Sequence, residues 1–309
     1  MGWVAVVLAF LAVAGTASAA PPPPSSTWFV DPESPANQEL ARLRAQGRAA
    51  PAALVARIAS QPRFAWFGTF APPDRLRLYV DRATGAGRVP LVAIFNAEAR
   101  ECRAGSHDEA RRWYDRAAAA IGSRPAVVAF EPDSLGTIDG IPRTQRRACY
   151  ATIRYGVGVF SRLPAASVYV EAGASDWEGA PRMASKLRRV GVCRVGGVLL
   201  NATHADWTTR NIRFGRALDR RLPCGLRILV NTAENGRGPT PRSVPRHWCD
   251  SRQRYGLGPP PTSPTRHASV IFGWVNRPGY TQQCYDAPVR WALYRALNLA
   301  RRASSPEGP

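Results

Sequence analysis

The sequence predicts an α/β fold in which parallel strands, joined by helices, close into a barrel. Short apolar runs alternate with helix-like segments along the chain, and the number of runs favours a barrel over an open sheet. Polar residues also recur at the carboxyl ends of these runs, where the strands of a barrel contribute side chains to one shared site. The chain of 309 residues is long enough for one large domain with a substantial core.

The predicted elements follow one another in a regular order. Strands are expected at residues 28–30, 64–68, 89–95, 126–130, 168–171, 197–201, 227–231 and 270–274. Helices are expected at residues 36–45, 51–60, 73–82, 108–121, 144–163, 181–190, 208–222 and 287–302. The segment 236–264 is rich in Gly and Pro and is expected to be irregular.

One predicted strand ends in two carboxylates. Residues 126–130 are apolar and are followed by Glu131-Pro132-Asp133, so they predict a fully buried strand that Pro132 ends. An acidic pair at the carboxyl end of a parallel strand is a candidate acid/base site. The alternative is a capping turn, in which Asp133 or Ser134 only begins the next helix.

Polar and aromatic side chains collect near the same strand ends. Together with Asp133, four residues lie at or just past the end of a predicted strand: Asn96, Glu171, Asn201 and Asn231. Four indoles lie close by, at Trp66, Trp177, Trp207 and Trp274. Each Asn could be a turn residue and each Trp a core aromatic. Together they indicate a sugar-binding cleft, since indoles stack on pyranose faces while carboxylates and amides bond the hydroxyls.

The amino-terminal residues predict export. Residues 3–13 are apolar, and a small-residue pattern at 17–20 resembles a cleavage site, so residues 1–19 are interpreted as a signal peptide. Residues 20–26 are then a Pro-rich linker stub, 27–302 the catalytic domain and 303–309 a disordered tail. We expect a protein that is secreted, no longer membrane-associated once the signal is removed, and monomeric.

Cysteine usage agrees with an exported protein. The chain has six cysteines, an even number, which indicates three disulfides with fifteen possible pairings. Neither a Cys-x-x-Cys motif nor clustered His accompanies them, so we expect no metal and no cofactor.

The formal net charge of +20 raises the possibility of nucleic-acid binding. Lys186 is the only lysine, and the arginines are spread along the whole chain, which is typical of genome composition rather than of a phosphate-binding patch. Pairs such as Arg188-Arg189 lie in predicted helices, where a solvated face is the default interpretation. We therefore expect no nucleic-acid partner, although a basic surface attracts acidic polymers.

Several short motifs follow one another along the mature chain. They include Glu131-Pro132-Asp133-Ser134-Leu135 after its strand, and Asn96 leading to Arg100-Glu101-Cys102. Further motifs are Glu171-Ala-Gly173 with Trp177, Asn201 with Trp207-Thr208, Asn231 with Asn235-Gly236 and Gly238-Pro239, Trp248-Cys249-Asp250, and Trp274 through Pro278-Gly279 to Cys284. In this collinear order the chain resembles glycoside hydrolase family six, the inverting cellulases.

The resemblance implies a distorted, TIM-barrel-like (β/α) barrel of about seven strands. It also implies disulfides Cys102–Cys149 and Cys249–Cys284, which leaves Cys193 and Cys224 as a third pair. The family's general acid maps to Asp133, where a raised pKa would keep the carboxyl protonated for donation to the leaving oxygen.

This chain departs from the family pattern at four positions. Glu101 replaces an aspartate that tunes the acid and positions the water, and Phe95 replaces a tyrosine. Asn276 replaces a lysine, and Gln282 replaces the aspartate usually proposed as base, which an amide cannot imitate. Glu101 acting through water is one substitute base; Asp286 and Glu171 are others.

The leading functional hypothesis is a secreted endo-acting hydrolase that cleaves β-1,4-glucan with inversion. Its substrate would be a β-glucan polysaccharide or oligosaccharide, bound by the residues at the strand ends. The alternative is a catalytically weakened, glycan-binding member of the same fold, which the replacements at Phe95, Asn276 and Gln282 favour. The predicted export and the carboxylate-rich site oppose a third class, the basic nucleic-acid-binding proteins.

Overall fold

The computed structural model describes residues 20–68, 70–96, 102, 107–239, 254–281 and 289–304. Within these residues, seven strands form one parallel sheet in the order β1-β2-β3-β4-β5-β6-β7. The strands are β1 (Ala65–Phe67), β2 (Leu91–Ile94), β3 (Ala126–Phe130), β4 (Ala166–Glu171), β5 (Gly197–Leu200), β6 (Arg227–Asn231) and β7 (Val270–Gly273). The predicted α/β fold with parallel strands is confirmed.

The sheet curls into a distorted barrel whose first and last strands meet at one end. The Phe64 amide, just before β1, donates to the Trp274 carbonyl just after β7 at 3.1 Å. The Trp66 indole N–H also donates to the Val275 carbonyl at 2.7 Å. No further ladder joins β1 to β7 in the described part of the chain. The closure is therefore partial, as expected for a variant of the β/α barrel.

Helices cover the outside of the sheet. They are α1 (Pro35–Ala45), α2 (Ala49–Ala59), α3 (Pro73–Gly85), α4 (His107–Ile121), α5 (Ser134–Thr137), α6 (Arg143–Phe160), α7 (Ala180–Val190), α8 (Thr208–Asp219) and α9 (Leu293–Arg301). A helix follows most strands, and each returns the chain to the amino end of the next strand, as parallel pairing requires. The carboxyl ends of the strands consequently share one edge.

The core has two layers because the strands are buried on both faces. Alternate residues point inward, where Leu91, Val127, Tyr169, Leu199, Leu229 and Ile271 fill the barrel. The intervening residues, among them Val92, Val128 and Val170, pack outward against the helices. Such double burial explains why the strands are continuous apolar runs rather than alternating ones.

A third apolar cluster lies where the sheet closes. Residues Leu43, Ile58 and Leu299 of α1, α2 and α9 pack there with Trp274. Trp274 is only 2 % exposed, and its indole N–H donates to the Pro259 carbonyl at 3.0 Å. These helices therefore cover the weakly paired β1–β7 junction.

Most predicted elements differ from the structure by one to three residues at an end, and two differ by more. The expected strand at 28–30 is only an isolated bridge between Trp28 and Val89. The closing helix was expected from residue 287 but begins at Leu293. Before it, Trp291 forms an antiparallel bridge with Tyr280, and the Ala292 amide donates to the Gly279 carbonyl at 2.8 Å. This pairing with residues 279–281 uses the backbone groups that a longer helix would need.

Two disulfides lie within the described residues. Cys102 is bonded to Cys149, and Cys193 to Cys224, with Cα separations of 5.6 and 5.4 Å. The remaining predicted pair, Cys249 and Cys284, lies outside the described residues, as does the predicted signal peptide.

The first described residues contact the barrel. The Ala20 carbonyl accepts hydrogen bonds from Ser167 and Arg227, and the Ser25 amide donates to the Ser263 carbonyl at 2.8 Å. Among the helices of the described segments, none combines the length and the hydropathy that crossing a bilayer demands.

Candidate active site

The end of β3 presents two acidic residues in an unusual backbone conformation. Glu131 and Asp133 both have positive φ angles, 55° and 74°, on either side of Pro132. Pro132 cannot continue the ladder, so the chain turns sharply into the short helix α5. The turn sends the two side chains in different directions. Glu131 is fully buried, whereas Asp133 is half-buried.

Glu131 holds neighbouring elements together. Its carboxylate accepts the Asn96 amide N–H, 2.9 Å from each oxygen, and the Tyr114 hydroxyl at 2.8 Å. These bonds join the end of β2 and helix α4 to the end of β3. Burial and the adjacent Glu131 carboxylate raise the pKa of Tyr114 well above its ordinary value. Glu131 is thus a structural carboxylate beneath the site.

Asp133 is the acid that remains accessible. Its Oδ1 accepts a hydrogen bond from the Thr203 hydroxyl at 3.0 Å. Thr203 lies just past β5, and nothing in the sequence marked it as a partner of Asp133. The contact depends on the parallel sheet bringing two strand ends to one edge.

Glu171, at the end of β4, supports the loop that carries Asp133. It is 1 % exposed, and its Oε2 accepts the N–H groups of Leu135 at 2.8 Å and Gly136 at 3.1 Å. Its Oε1 accepts the Gly173 N–H. Both oxygens of Glu171 accept backbone N–H groups, so its carboxyl holds residues 131–136, here called the acid loop, in place. Because Glu171 is also buried, it is not open to a nucleophilic water.

Asp133 and Glu171 form an electrostatically coupled pair. Burial, and next the negative charge of Asp133, raise the pKa of Glu171 to about 8, while its three backbone donors act in the opposite direction. Two neighbouring carboxyls resist being ionised together. Burial and the charge of Asp133 therefore keep the Glu171 carboxyl protonated near neutral pH.

Asn201 and Asn231 serve the backbone. Asn201 has a φ of 66°, and its amide group bonds the backbone of Asp206 and the Asn231 carbonyl at 3.1 Å. Asn231 donates to the Asn201 carbonyl at 2.9 Å and accepts the amides of Val275 and Asn276 at 3.0 and 3.2 Å. The two side chains lock the ends of β5, β6 and β7 together. Their position was predicted, but their atoms face protein groups.

The indoles have different environments. Trp66 has the guanidinium of Arg277 over its ring at 5.4 Å and the Phe95 ring edge-on at 5.4 Å. Trp177 is stacked on His204, with centroids 4.6 Å apart and an interplanar angle of 17°. Trp274, described above, belongs to the core and has no exposed face. For Trp274 the structure favours the alternative of a core aromatic.

Trp177 and Trp207 lie against glycines that make room for them. A Cβ at Gly136 would come within 2.4 Å of the Trp177 ring, and one at Gly238 within 2.2 Å of the Trp207 ring. Both indoles are half-buried. The Trp177–Gly136 contact places this indole directly beside the loop of Asp133.

The remaining predicted site residues either lie at the edge formed by the strand ends or lie outside the described residues. Asn96 is 2 % exposed and Asn276 is 6 % exposed, both at the strand-end edge. Glu101, Gln282 and Asp286 lie outside the described residues.

The comparisons with known proteins agree with this geometry. Residues 24–308 match the family model described as glycosyl hydrolases family 6. The chain is 30% identical over 290 residues to endoglucanase 1 of Streptomyces halstedii, covering 89% of this chain and 87% of that protein. It is 28% identical over 317 residues to endoglucanase A of Thermobispora bispora, covering 98% of this chain and 67% of that protein.

Solved structures resemble it as well. The endoglucanase Cel6 from Mycobacterium tuberculosis, in complex with methyl-cellobiosyl-4-deoxy-4-thio-β-D-cellobioside, superimposes with a TM-score of 0.81 at 30% identity. That match covers 89% of this chain and 96% of the other. Endoglucanase CEL6B from Humicola insolens, at 16% identity and a TM-score of 0.72 over 95% of this chain and 99% of its own, shares the fold.

Proposed function

The chain belongs to glycosyl hydrolase family 6 and is a glycoside hydrolase, and from this premise we propose that it cleaves β-1,4-glucan with inversion, using Asp133 as the general acid. The observation that carries the proposal is the coupled carboxyl pair of Asp133 and Glu171 at the carboxyl ends of β3 and β4. The Glu171 carboxyl is buried whereas the Asp133 carboxyl is accessible, so we assign to Asp133 the donation of a proton to the leaving glycosidic oxygen.

Inversion also requires a water activated on the opposite face of the sugar. Carboxyls of inverting enzymes are about 6.5 to 9.5 Å apart to leave room for that water. Glu171 does not suit the role, since backbone N–H groups occupy both of its oxygens. We assign the water-positioning role to Glu101, acting through a water chain, because Gln282 cannot accept a proton.

The substrate class follows from the relatives. The proteins it resembles are named endoglucanases, and one structural relative was solved with a thio-linked cello-oligosaccharide. We propose internal cleavage of a soluble β-glucan, with Trp66, Trp177 and Trp207 beside the cleft. Disulfides Cys102–Cys149 and Cys193–Cys224 suit an oxidising compartment, which supports secretion.

One observation favours the alternative of a weakened, glycan-binding member. The Arg277 guanidinium lies over the Trp66 ring, where it competes with a sugar for that face. The changes at Phe95, Asn276 and Gln282 point the same way.

Reducing-sugar release from carboxymethylcellulose, mixed-linkage β-glucan, xylan and β-1,3-glucan tests the proposal. We expect hydrolysis of the first two, with the α-anomer appearing first by NMR as inversion requires. Asp133→Asn is the control, since its amide cannot protonate a leaving group and the variant should still bind cello-oligosaccharides. Binding without release of reducing ends by the parent protein would favour the glycan-binding alternative.

A further inference from the structure

The chain contains a single lysine, at a position that is almost completely buried. Among 42 lysine and arginine residues, Lys186 is the only lysine. It lies on α7 and is 4 % exposed, whereas Arg182, Arg188 and Arg189 on the same helix are exposed. A composition so biased towards arginine makes the one lysine a sign that this position needs an ammonium group.

The contacts of Lys186 explain that need. Its Nζ donates to the Leu135 carbonyl at 2.9 Å and to Glu178 Oε1 at 2.6 Å, and pairs with Asp139 Oδ2 at 2.9 Å. Two of the acceptors, on Leu135 and Asp139, lie in the segment after β3, and the third, on Glu178, lies just before α7. Together they match the three N–H donors of an ammonium. A planar guanidinium projects its donors in one plane and is longer, so it does not reproduce this arrangement.

One of these contacts reaches the acid loop. Leu135 is two residues past Asp133, and both its N–H and its carbonyl have a hydrogen-bond partner. The Leu135 N–H donates to Glu171, and the Leu135 carbonyl accepts from Lys186. Asp133 itself holds a left-handed backbone conformation, with a φ of 74°, which non-glycine residues keep only when their surroundings enforce it.

We propose that Lys186 is a positioning residue for the general acid: its ammonium fixes the Leu135 carbonyl and thereby the direction of the Asp133 carboxyl. The proposal rests on the proposed function, in which Asp133 protonates the leaving oxygen. Lys186 is 4 % exposed, so in this proposal it acts on proton donation through Leu135 and not by binding the substrate.

The dependence on the leaving group tests this role. An unactivated substrate such as cellotetraose needs a proton from the acid, whereas a 2,4-dinitrophenyl β-cellotrioside leaves with little protonation. In Lys186→Met we expect kcat on cellotetraose to fall about ten- to hundredfold, with KM little changed, since small misplacement of a catalytic group has effects of this size. On the dinitrophenyl substrate we expect a loss of less than about threefold.

Arg182→Met is the matched control. Arg182 contacts the same two carboxylates, Asp139 at 2.7 Å and Glu178 at 3.3 Å, and is exposed. Unlike Lys186, it does not contact the Leu135 carbonyl in the described structure. We expect Arg182→Met to retain parental kcat on both substrates. Lys186→Arg keeps the charge, and we expect it to show the same leaving-group pattern as Lys186→Met.

The outcomes separate the inference from the proposed function. Equal losses on both substrates per folded molecule, or the same pattern in Arg182→Met, would overturn the positioning role. Full activity in Lys186→Arg would overturn the requirement for an ammonium. Should Lys186→Met not fold, Lys186→Arg and Lys186→Gln test the positioning role instead. The quantity to compare is again the loss of kcat on cellotetraose relative to the loss on the dinitrophenyl substrate. A parent protein that leaves cellotetraose intact, or an Asp133→Asn variant without leaving-group dependence, would instead contradict the proposed function.

Discussion

At the scale of single residues, backbone strain is concentrated at the edge of the sheet that the carboxyl ends of the strands form. The described non-glycine residues with positive φ are Glu131, Asp133 and Asn201, each just past the end of a strand. Such conformations cost on the order of 1 to 3 kcal/mol and persist where the surroundings determine them. Here the side chains of Glu131 and Asn201 are pinned by buried hydrogen bonds, while Asp133 is held through its neighbours. The strain is therefore held in place around the proposed acid.

The buried carboxyl of Glu171 should make stability depend on pH. Its pKa is raised from 4.5 to about 8, so between these values the folded state binds more protons than the unfolded state. The contribution of Glu171 to the free energy of unfolding must then fall as pH rises from about 4.5 to about 8, by as much as about 1 kcal/mol per pH unit. In Glu171→Gln this contribution disappears.

Urea unfolding measures this pH dependence. We would compare the parent protein with Glu171→Gln between about pH 5 and about pH 8, where the contribution of Glu171 changes. The glutamine amide will itself be a poor partner for three N–H groups, which lowers stability equally at every pH. The informative quantity is the slope of the difference with pH. If the unfolding free energies of the two proteins differ by the same amount at every pH, Glu171 is already ionised at acidic pH.

Because Gln282 replaces the aspartate usually proposed as base, the roles of Glu101 and Gln282 can be tested by substitution. If Glu101 holds the nucleophilic water through its longer side chain, Glu101→Asp should lower kcat although it restores the family residue. Gln282→Asp should be neutral or raise kcat. The double variant should be non-additive, because the two residues would act on one water. An increase in Glu101→Asp with an independent gain from Gln282→Asp would identify a decayed hydrolase instead.

The sequence could predict which residues reach this edge, but not all of their partners. Asp133 and Glu171 were identifiable because each follows an apolar strand, a local property of the chain. Asn201 and Asn231 were identifiable in the same way, yet their amides bond backbone groups at Asp206 and Val275. Those partners arrive on loops whose course depends on tertiary packing, so no local pattern reveals them.

At the scale of elements, the two described disulfides lie at opposite ends of the barrel. Cys102 follows β2 and Cys149 lies in α6, which begins at the carboxyl-end edge of the sheet. Cys193 precedes β5 and Cys224 precedes β6, at the amino-end edge. Both bridges restrict the unfolded chain, but only the first is near the proposed site.

Removing each bridge should therefore separate stability from activity. We expect Cys102→Ser/Cys149→Ser and Cys193→Ser/Cys224→Ser each to lose about 2 to 4 kcal/mol of unfolding free energy. Only the first pair should also lower kcat on mixed-linkage glucan, because it joins elements beside Asp133. Denaturation curves and kinetics on both double variants check this. Matching kcat values in the two would show that the site does not depend on the Cys102–Cys149 bridge.

Element boundaries were predictable where local signals agree with the tertiary fold. Strands β3 and β6 coincide with their predicted ranges, since both are apolar runs bounded by Pro, Gly or a polar residue. The closing helix was predicted to start too early because residues near Trp291 pair with Tyr280 instead. Helical propensity is weak enough for such strand pairing to override it.

At the scale of the whole molecule, the dominant property is a net charge of +20. Many arginines are exposed, and the ion pairs at the surface are short-range contacts that leave this excess uncompensated. A field of this sign raises the local concentration of anionic polymers around the protein. Neutral glucans experience no such attraction.

The charge therefore predicts different salt dependence for two substrates of the same enzyme. We expect KM for carboxymethylcellulose to rise several-fold as NaCl increases, because screening shortens from about 10 Å at about 0.1 M to about 3 Å at about 1 M. For neutral hydroxyethylcellulose KM should stay constant, and kcat should be unchanged for both, since the field acts on encounter rather than on the proposed proton donation by Asp133. Initial rates across the salt series, with matched viscosity, test this. A parallel rise in KM for both polymers would mean that salt perturbs the cleft itself, and the basic surface would then have no part in substrate capture.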